Sequence, residues 1–259
     1  FDEGSVYKPV AMAVDQYGRL YIVSSTTYQG IIMMTTEGEF TGLIGAQKVA
    51  IGALEILWRN LQTEEQRELT LSYIPTAYNN ISIDEDNFIY ITTDAPSDSA
   101  QTQAILSKSS DNAPVKKLNA SGADVMRRNG FFGPGGEVVV STSSLAAISG
   151  ASRIIDAAVG PEGTWTLISE NESKCYTYDF NGNLLSAFGS AGSQLGNLKN
   201  VKACAYQEDK LILLDSSQKS FTVYKRTEYG DTLIAAIANT NARQYDKAIA
   251  MGIKGIEEQ

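Results

Sequence analysis

Residues 8–46, KPVAMAVDQYGRLYIVSSTTYQGIIMMTTEGEFTGLIGA, decide the fold. Bulky and β-branched residues alternate in short runs here, which predicts β-strands, and residues typical of tight turns separate the runs. This spacing of strand, turn and strand predicts one antiparallel four-stranded sheet. The four predicted strands are Pro9–Val14, Leu20–Val23, Gly30–Thr35 and Phe40–Ile44.

The first half of this stretch recurs along the chain, which indicates an internal repeat. Residues 14–23, VDQYGRLYIV, align without a gap with residues 83–92, IDEDNFIYIT. Asn87 stands in the place of Gly18, and both residue types tolerate the positive φ of a tight turn. A third copy is 159–168, VGPEGTWTLI, and a looser fourth is 205–214, AYQEDKLILL. The second half of each repeat unit follows, at residues 29–45, 115–130, 175–189 and 221–224. Four such units predict an all-β β-propeller of four-stranded antiparallel blades.

Two segments depart from the strand pattern and predict helices. In the insertion 48–74, Leu54, Leu57, Trp58 and Leu61 share one helix face, and Thr63 begins the capping box of a second helix. The insertion either covers one face of the propeller or serves as a lid or partner-docking element. After residue 226, a helical hairpin is expected at 229–238 and 242–257. The polar segment 94–112 is predicted to be a loop. The segment 131–137, FFGPGGE, is predicted to be a turn, because it lacks the Gly-Lys-Ser/Thr ending of a phosphate-binding loop.

The first unit, P-x-x-M-x-V-D-x-x-G-x-L-Y-I from Pro9, resembles the NHL-repeat β-propeller pattern. The resemblance covers residues 1–226 and departs in the fourth unit, where Tyr206 replaces the Asp. The insertion, residues 78–80 (YNN), residues 127–130 (RRNG) and the helical tail together resemble bacterial NHL-repeat proteins that continue into tetratricopeptide repeats and a membrane segment. In the tail, 241–248 (NARQYDKA) resembles the tetratricopeptide pattern G-x-Y-x-x-A, with Arg243 in the place of Gly.

The resemblance implies about six blades, of which four are readable here. It also implies an extracytoplasmic protein that is membrane-tethered through segments absent from this chain. The sequence begins at Phe1 without a Met, which indicates a piece of a longer protein. The predicted domains are therefore blades at 1–226, with the helical insertion at 48–74, and at 227–259 the hairpin that starts a tetratricopeptide-like region.

Composition excludes several functions for these 259 residues. The net charge of −9 argues against nucleic-acid binding, because phosphate contacts need clustered Lys and Arg. The chain has no His, which removes His-based triads and His metal sites. The sequence leaves two states open for Cys175 and Cys204, which either pair or remain free thiols. The chain contains no run of about 20 apolar residues, so no membrane span is predicted in it.

Several polar residues are candidates for a site, each with a structural alternative. Asp15 and Asp84 either bind a metal or accept backbone N–H bonds in their turns, and repeat equivalence favours the turns. Some six-bladed propeller lactonases hold a divalent cation through oxygen ligands, for which calcium is suited. The ligand candidates here are Glu170, Asn171, Asn79, Asn80 and Asp215, although no spacing selects them. Arg127 and Arg128 either clamp a carboxylate or sugar acid, or pair with local carboxylates. Trp58, Trp165 and Tyr176 either stack on sugars or belong to the core.

Two functions follow from these observations. The first is a non-enzymatic propeller that binds a protein or carbohydrate partner through its loops. The alternative is a divalent-cation-dependent lactonase or lyase-type hydrolase. The sequence defines no catalytic residue, because no Ser or Cys has an evident base. It defines no metal site and no cofactor beyond calcium as a candidate.

Overall fold

A computed structural model describes residues 7–25, 30–45, 78–93, 113–127, 153–170 and 173–257. The chain forms two compact units, residues 1–125 and residues 126–259, which are described separately below. The predicted helical insertion at 48–74, the loop at 94–112 and the turn at 131–137 lie outside the described residues. The predicted number of blades and the predicted domain boundary at 226 stay predictions.

The first unit contains two antiparallel sheets, each of whose strands pairs with the next along the chain. One sheet has the predicted four strands. The other has three, and Asp124 continues it by bridging to Leu118. Buried side chains of both sheets form one core, to which each large apolar residue contributes about 1.5–3 kcal/mol. The strands are β1 Pro9–Val14, β2 Leu20–Ser24, β3 Ile31–Met34, β4 Phe40–Ile44, β5 Tyr78–Ile83, β6 Ile89–Thr93 and β7 Val115–Leu118.

The second unit repeats this design with one four-stranded and one three-stranded sheet. Ile168 and Cys175 of the first sheet pack with Val201, Leu211 and Leu213 of the second, all of them buried. The strands are β8 Ile154–Val159, β9 Trp165–Ser169, β10 Lys174–Tyr178, β11 Leu184–Phe188, β12 Val201–Gln207, β13 Lys210–Asp215 and β14 Ser220–Lys225. A single 3-10 turn, Pro161–Gly163, joins β8 to β9.

A helical hairpin follows β14, as the change of period predicts. Helix α1 (Glu228–Asn241) begins at the N-cap Thr227, whose hydroxyl oxygen accepts a bond from the Gly230 N–H. Helix α2 is Tyr245–Glu257, and the intervening turn holds Arg243 at a φ of 58°. No helix in the described part of the chain is long and apolar enough to cross a membrane. The predicted fold class, all-β with propeller-type antiparallel blades and a C-terminal helical hairpin, is confirmed.

The fourth repeat differs from its predicted alignment. The β12–β13 connection is a two-residue turn, with Gln207 opposite Lys210, whereas the earlier copies use longer loops. Tyr206 consequently lies within β12 opposite Leu211, as Val14 lies opposite Leu20 in the first copy. The prediction that Tyr206 takes the place of the turn Asp is therefore wrong by one residue, because the shorter turn shifts β12 relative to β13.

Candidate functional site

The repeated Asp residues organise the turns. The Asp15 carboxylate accepts the backbone N–H groups of Tyr17 and Arg19, both at 2.9 Å. Asp84 does the same for Asp86 and Phe88, at 3.0 and 2.8 Å. Burial opposes the charge of Asp15, but these N–H bonds and the Arg19 side chain hold its pKa below the ordinary value. The structural interpretation of both Asp residues is confirmed, and Asn119 and Asp179 make the same pair of bonds.

The candidate oxygen ligands of the first unit serve local contacts. Asn79 accepts a bond from the Thr92 hydroxyl, and Asn80 Oδ1 accepts the Ile81 N–H at 2.8 Å. Among the residues that the structure describes, no group of three or more acidic, Cys or His side chains could hold a metal ion.

The candidates of the second unit are also engaged. Glu170 forms ion pairs with Arg153, at 2.9 Å, and with Lys202. Asp215 is fully buried and accepts four backbone N–H bonds, which hold its pKa below the ordinary value although burial alone would raise it. These donors are the N–H groups of Lys199, Asn200, Ser217 and Gln218. Asn171 lies outside the described residues. Glu170 and Asp215 are therefore engaged by different groups of partners.

The other described candidates make local contacts or lie in the core. Arg127 donates to Asn181 Oδ1 at 2.6 Å, and its guanidinium lies over the Phe180 ring. Arg128 and Trp58 are outside the described residues. Trp165 is 2% exposed and stacks on Tyr178 at a centroid distance of 4.5 Å, and Tyr176 is buried as well. Trp165 and Tyr176 are thus core residues, which removes them as surfaces for sugars.

Cys175 and Cys204 are free thiols in the core of the second unit. Burial raises the pKa of Cys175 to about 12 and that of Cys204 well above its ordinary value. Both are therefore protonated and poor nucleophiles at neutral pH. Asp156 accepts the Cys204 N–H at 2.7 Å and the Ala157 N–H at 2.8 Å.

A cavity of about 310 Å³ lies in the second unit between the sheet β8–β11, the sheet β12–β14 and helix α1. The rings of Phe188 and Tyr224, from the two sheets, meet at 5.0 Å in its wall. Leu233 and Ile234 of α1 line the cavity opposite strand residues such as Leu185. Sequence reasoning missed this site, because its residues come from five separate segments of the chain.

Hydroxyl groups form the polar part of this cavity. The Tyr206 hydroxyl and the Thr177 hydroxyl each lie 2.7 Å from Thr166 Oγ1, and Tyr206 and Thr177 both line the cavity. Burial raises the pKa of Tyr206, so that its phenol stays neutral at neutral pH. This polar region can donate or accept hydrogen bonds without carrying a formal charge.

One sequence signal does point to this cavity. The third copy has Gly160 where other copies have Asp15 and Asp84. The fourth copy has Tyr206 at the paired strand position where Val14 and Ile83 stand in the first two copies. A Cβ at Gly160 would lie only 3.0 Å from the Tyr206 ring and 2.7 Å from Thr164 Oγ1. The two departures from the repeat are therefore linked, since the missing side chain leaves room for the ring.

A second surface lies on the outer face of α2. Four large apolar side chains there are more than half exposed, although a lone helix face of this kind is usually buried. They follow each other at intervals of four, four and three residues, which places them on one side of the helix. We call them the α2 stripe: Tyr245, Ile249, Ile253 and Ile256, exposed by 59, 61, 54 and 75%.

Comparison with known proteins gives no family. No protein-family model and no curated protein matches the chain. Among solved structures it is similar to a protein of unknown function from Bacteroides thetaiotaomicron, with 13% identity and a TM-score of 0.47 over 83% of this chain and 47% of that chain. The β-propeller domain of Cps50 (Swd1) from Myceliophteria thermophila gives 7% identity and a TM-score of 0.45 over 85% of this chain and 54% of that chain.

A third similar structure is catalytically inactive virginiamycin B lyase from Staphylococcus aureus with quinupristin. The identity is 10% and the TM-score 0.42, over 87% of this chain and 58% of that chain. The chain thus spans about half to three fifths of the length of these three proteins.

Proposed function

We propose that the chain is a non-enzymatic scaffold that binds a protein partner, with the α2 stripe as the contact surface. The stripe is the observation that carries the proposal. Burying each of its large apolar side chains is worth about 1.5–3 kcal/mol, which is unused while they face water. The sequence predicts contacts through loops, and the helical hairpin takes that role in this proposal.

The geometry of the stripe suits a helical partner. Paired helices pack through apolar residues spaced three and four positions apart, which is the spacing of the stripe. The other side of α2 is already occupied, since Gly255 is buried against Tyr229 and Thr232 of α1. A partner therefore has one face of α2 available, and an amphipathic helix matches its length and polarity.

The resemblance to NHL propellers with tetratricopeptide repeats supports a helix as the occupant of this face. Helical repeats of that kind bury their faces by stacking on neighbouring helices, because one pair has too little core of its own. On this resemblance alone, we also propose an extracytoplasmic location for the full-length protein. The partner helix would then belong to a protein on the same side of the membrane.

The test compares the chain with a double variant, Ile249→Glu with Ile253→Glu. Proteins captured by the unaltered chain are purified individually and titrated against both by calorimetry. The control is Val223→Glu on β14, an exposed apolar residue outside the hairpin. We expect the double variant to bind at least roughly 10-fold more weakly, since two apolar anchors are lost, and the control to bind normally. Equal affinity of the double variant and the unaltered chain would contradict the proposal, provided that circular dichroism shows both folded.

A further inference from the structure

We propose that the cavity beneath α1 is a binding site for a neutral, two-ring aromatic molecule that carries one hydroxyl group. The site lies in the second unit, where residues of both sheets and of α1 line it. It does not include the α2 stripe, so each proposal can be tested independently of the other.

The size of the cavity sets the size of the ligand. An apolar cavity of about 150 Å³ is large enough to bind benzene, and small-molecule sites begin at about 300 Å³. The cavity here measures about 310 Å³, which corresponds to two fused or linked rings. A single ring would leave much of the wall without contacts, and the lost dispersion energy would weaken its binding.

The walls set the polarity. Large side chains that line the cavity are only partly buried, so they present apolar surface to whatever occupies it. Water gains little there, because an ordered water needs two to four polar partners. Aromatic rings gain dispersion contacts and favourable ring geometry against aromatic walls. These wall residues are Leu185, Phe188, Tyr206, Tyr224, Leu233 and Ile234.

The polar groups set the substituent and the charge. The hydroxyls of Tyr206 and Thr177 can donate to or accept from a ligand hydroxyl, which would extend their bonds to Thr166. Of the charged residues that line the cavity, Arg226 donates through Nε to Asp231, which lies outside the lining, at 2.8 Å, while Lys225 and Asp209 carry opposite charges. No excess charge therefore favours an anion or a cation, which indicates a neutral ligand.

The glycine at position 160 leaves the space that this arrangement needs. Gly160 has an extended backbone, with a φ of −104°, that any residue can adopt, so backbone geometry does not require glycine there. Space does, because a Cβ would approach the Tyr206 ring at 3.0 Å. The position that carries a turn Asp in other copies has thus become the gap in which Tyr206 reaches Thr166.

The test uses 2-naphthol, with naphthalene and 2-naphthoate for comparison, titrated into the folded chain by calorimetry and ligand-observed NMR. We expect one saturable site for 2-naphthol. Leu233→Trp, which fills the cavity, should abolish binding. The matched control Leu184→Trp, on an exposed β11 residue outside the cavity, should retain it. Tyr206→Phe should weaken 2-naphthol roughly 5-fold, the equivalent of one hydrogen bond, and leave naphthalene unchanged.

Other outcomes would overturn the proposal. These are no saturable binding by the folded chain, equal binding by Leu233→Trp, or 2-naphthoate binding as tightly as 2-naphthol. If Leu233→Trp does not fold, intermolecular NOEs decide instead. Contacts between the naphthol ring protons and the methyl groups of Leu233 and Ile234 support the site, and contacts elsewhere contradict it. A chain with Ile249→Glu and Ile253→Glu should bind 2-naphthol normally, which separates this result from the scaffold proposal.

Discussion

Asp156 is a buried carboxylate that joins β8 to β12. It is 5% exposed, and burial raises its pKa to about 6 although the Cys204 and Ala157 N–H groups stabilise the charge. The folded protein therefore holds the proton more tightly than the unfolded chain, whose pKa is about 3.8. Stability from this group is greatest below pH 4 and is lost as the pH rises towards 6.

We predict that Asp156→Asn removes this pH dependence. The free energy of unfolding of the unaltered chain should lose roughly 2.4 kcal/mol from Asp156 between pH 4 and pH 7, a loss that the neutral amide cannot show. Asn80 occupies the equivalent strand position in the second copy and accepts the next N–H in the same way. Asn can therefore keep the bond from the Ala157 N–H, but its amide NH2 cannot accept the Cys204 N–H, so the variant should be less stable at every pH and the readout is the change of stability with pH.

Urea unfolding of both proteins from pH 4 to pH 7 checks this prediction. Asp15 and Asp215 have lowered pKa values, so their stabilisation is present at neutral pH and lost on acidification. Their effect is common to both proteins and cancels in the difference between them. Parallel pH profiles for the two proteins would show that Asp156 does not titrate in this range.

At the scale of elements, the α1–α2 turn carries strain at one residue. Arg243 has a φ of 58°, in the left-handed region that favours glycine. The tetratricopeptide pattern that this segment resembles has Gly at the same position, so the sequence pattern and the backbone geometry agree. The departure from the pattern therefore places a residue with a Cβ in a left-handed conformation, which costs free energy at this position.

We predict that Arg243→Gly raises the free energy of unfolding by roughly 0.5–1 kcal/mol, because glycine adopts the left-handed conformation without a steric penalty. Arg243→Ala is the control, since alanine keeps a Cβ and hence the strain. Thermal unfolding of the three proteins checks the prediction. A gain in the alanine variant as large as in the glycine variant would place the cause in the arginine side chain instead.

At the scale of the whole molecule, the blade topology and the turns followed from sequence. Alternating runs predict strands wherever one sheet face is buried, and the Asp15 and Asp84 turns follow from the repeated positions of Asp and Gly or Asn. The fourth copy could not be aligned correctly, because the two-residue turn after Gln207 changes the register of β12 without changing its composition.

The sites were less predictable than the fold. Asp215 and Glu170 are plausible cation ligands by residue type, but their actual partners are backbone N–H groups and basic side chains that only the folded chain brings near. The cavity depends on packing between two sheets and a helix, to which no single segment points. Only the structure shows that a Cβ at Gly160 would lie 3.0 Å from the Tyr206 ring.

The alternative function, a divalent-cation-dependent lactonase or lyase-type hydrolase, leads to the last prediction, with calcium as the candidate cation. A cation bound at 100 times its dissociation constant stabilises the folded state by about 2.7 kcal/mol, which moves the melting temperature by several degrees. The described candidates are engaged by other groups, so we expect calcium to shift the melting temperature by less than about 1 °C. The test uses 5 mM calcium, which is about 100 times the dissociation constant of a site with a dissociation constant of about 50 µM. Magnesium and a chelator serve as controls. A rise with calcium that the chelator reverses would contradict the scaffold proposal and justify a lactone assay, with Glu170→Gln as the first variant to examine.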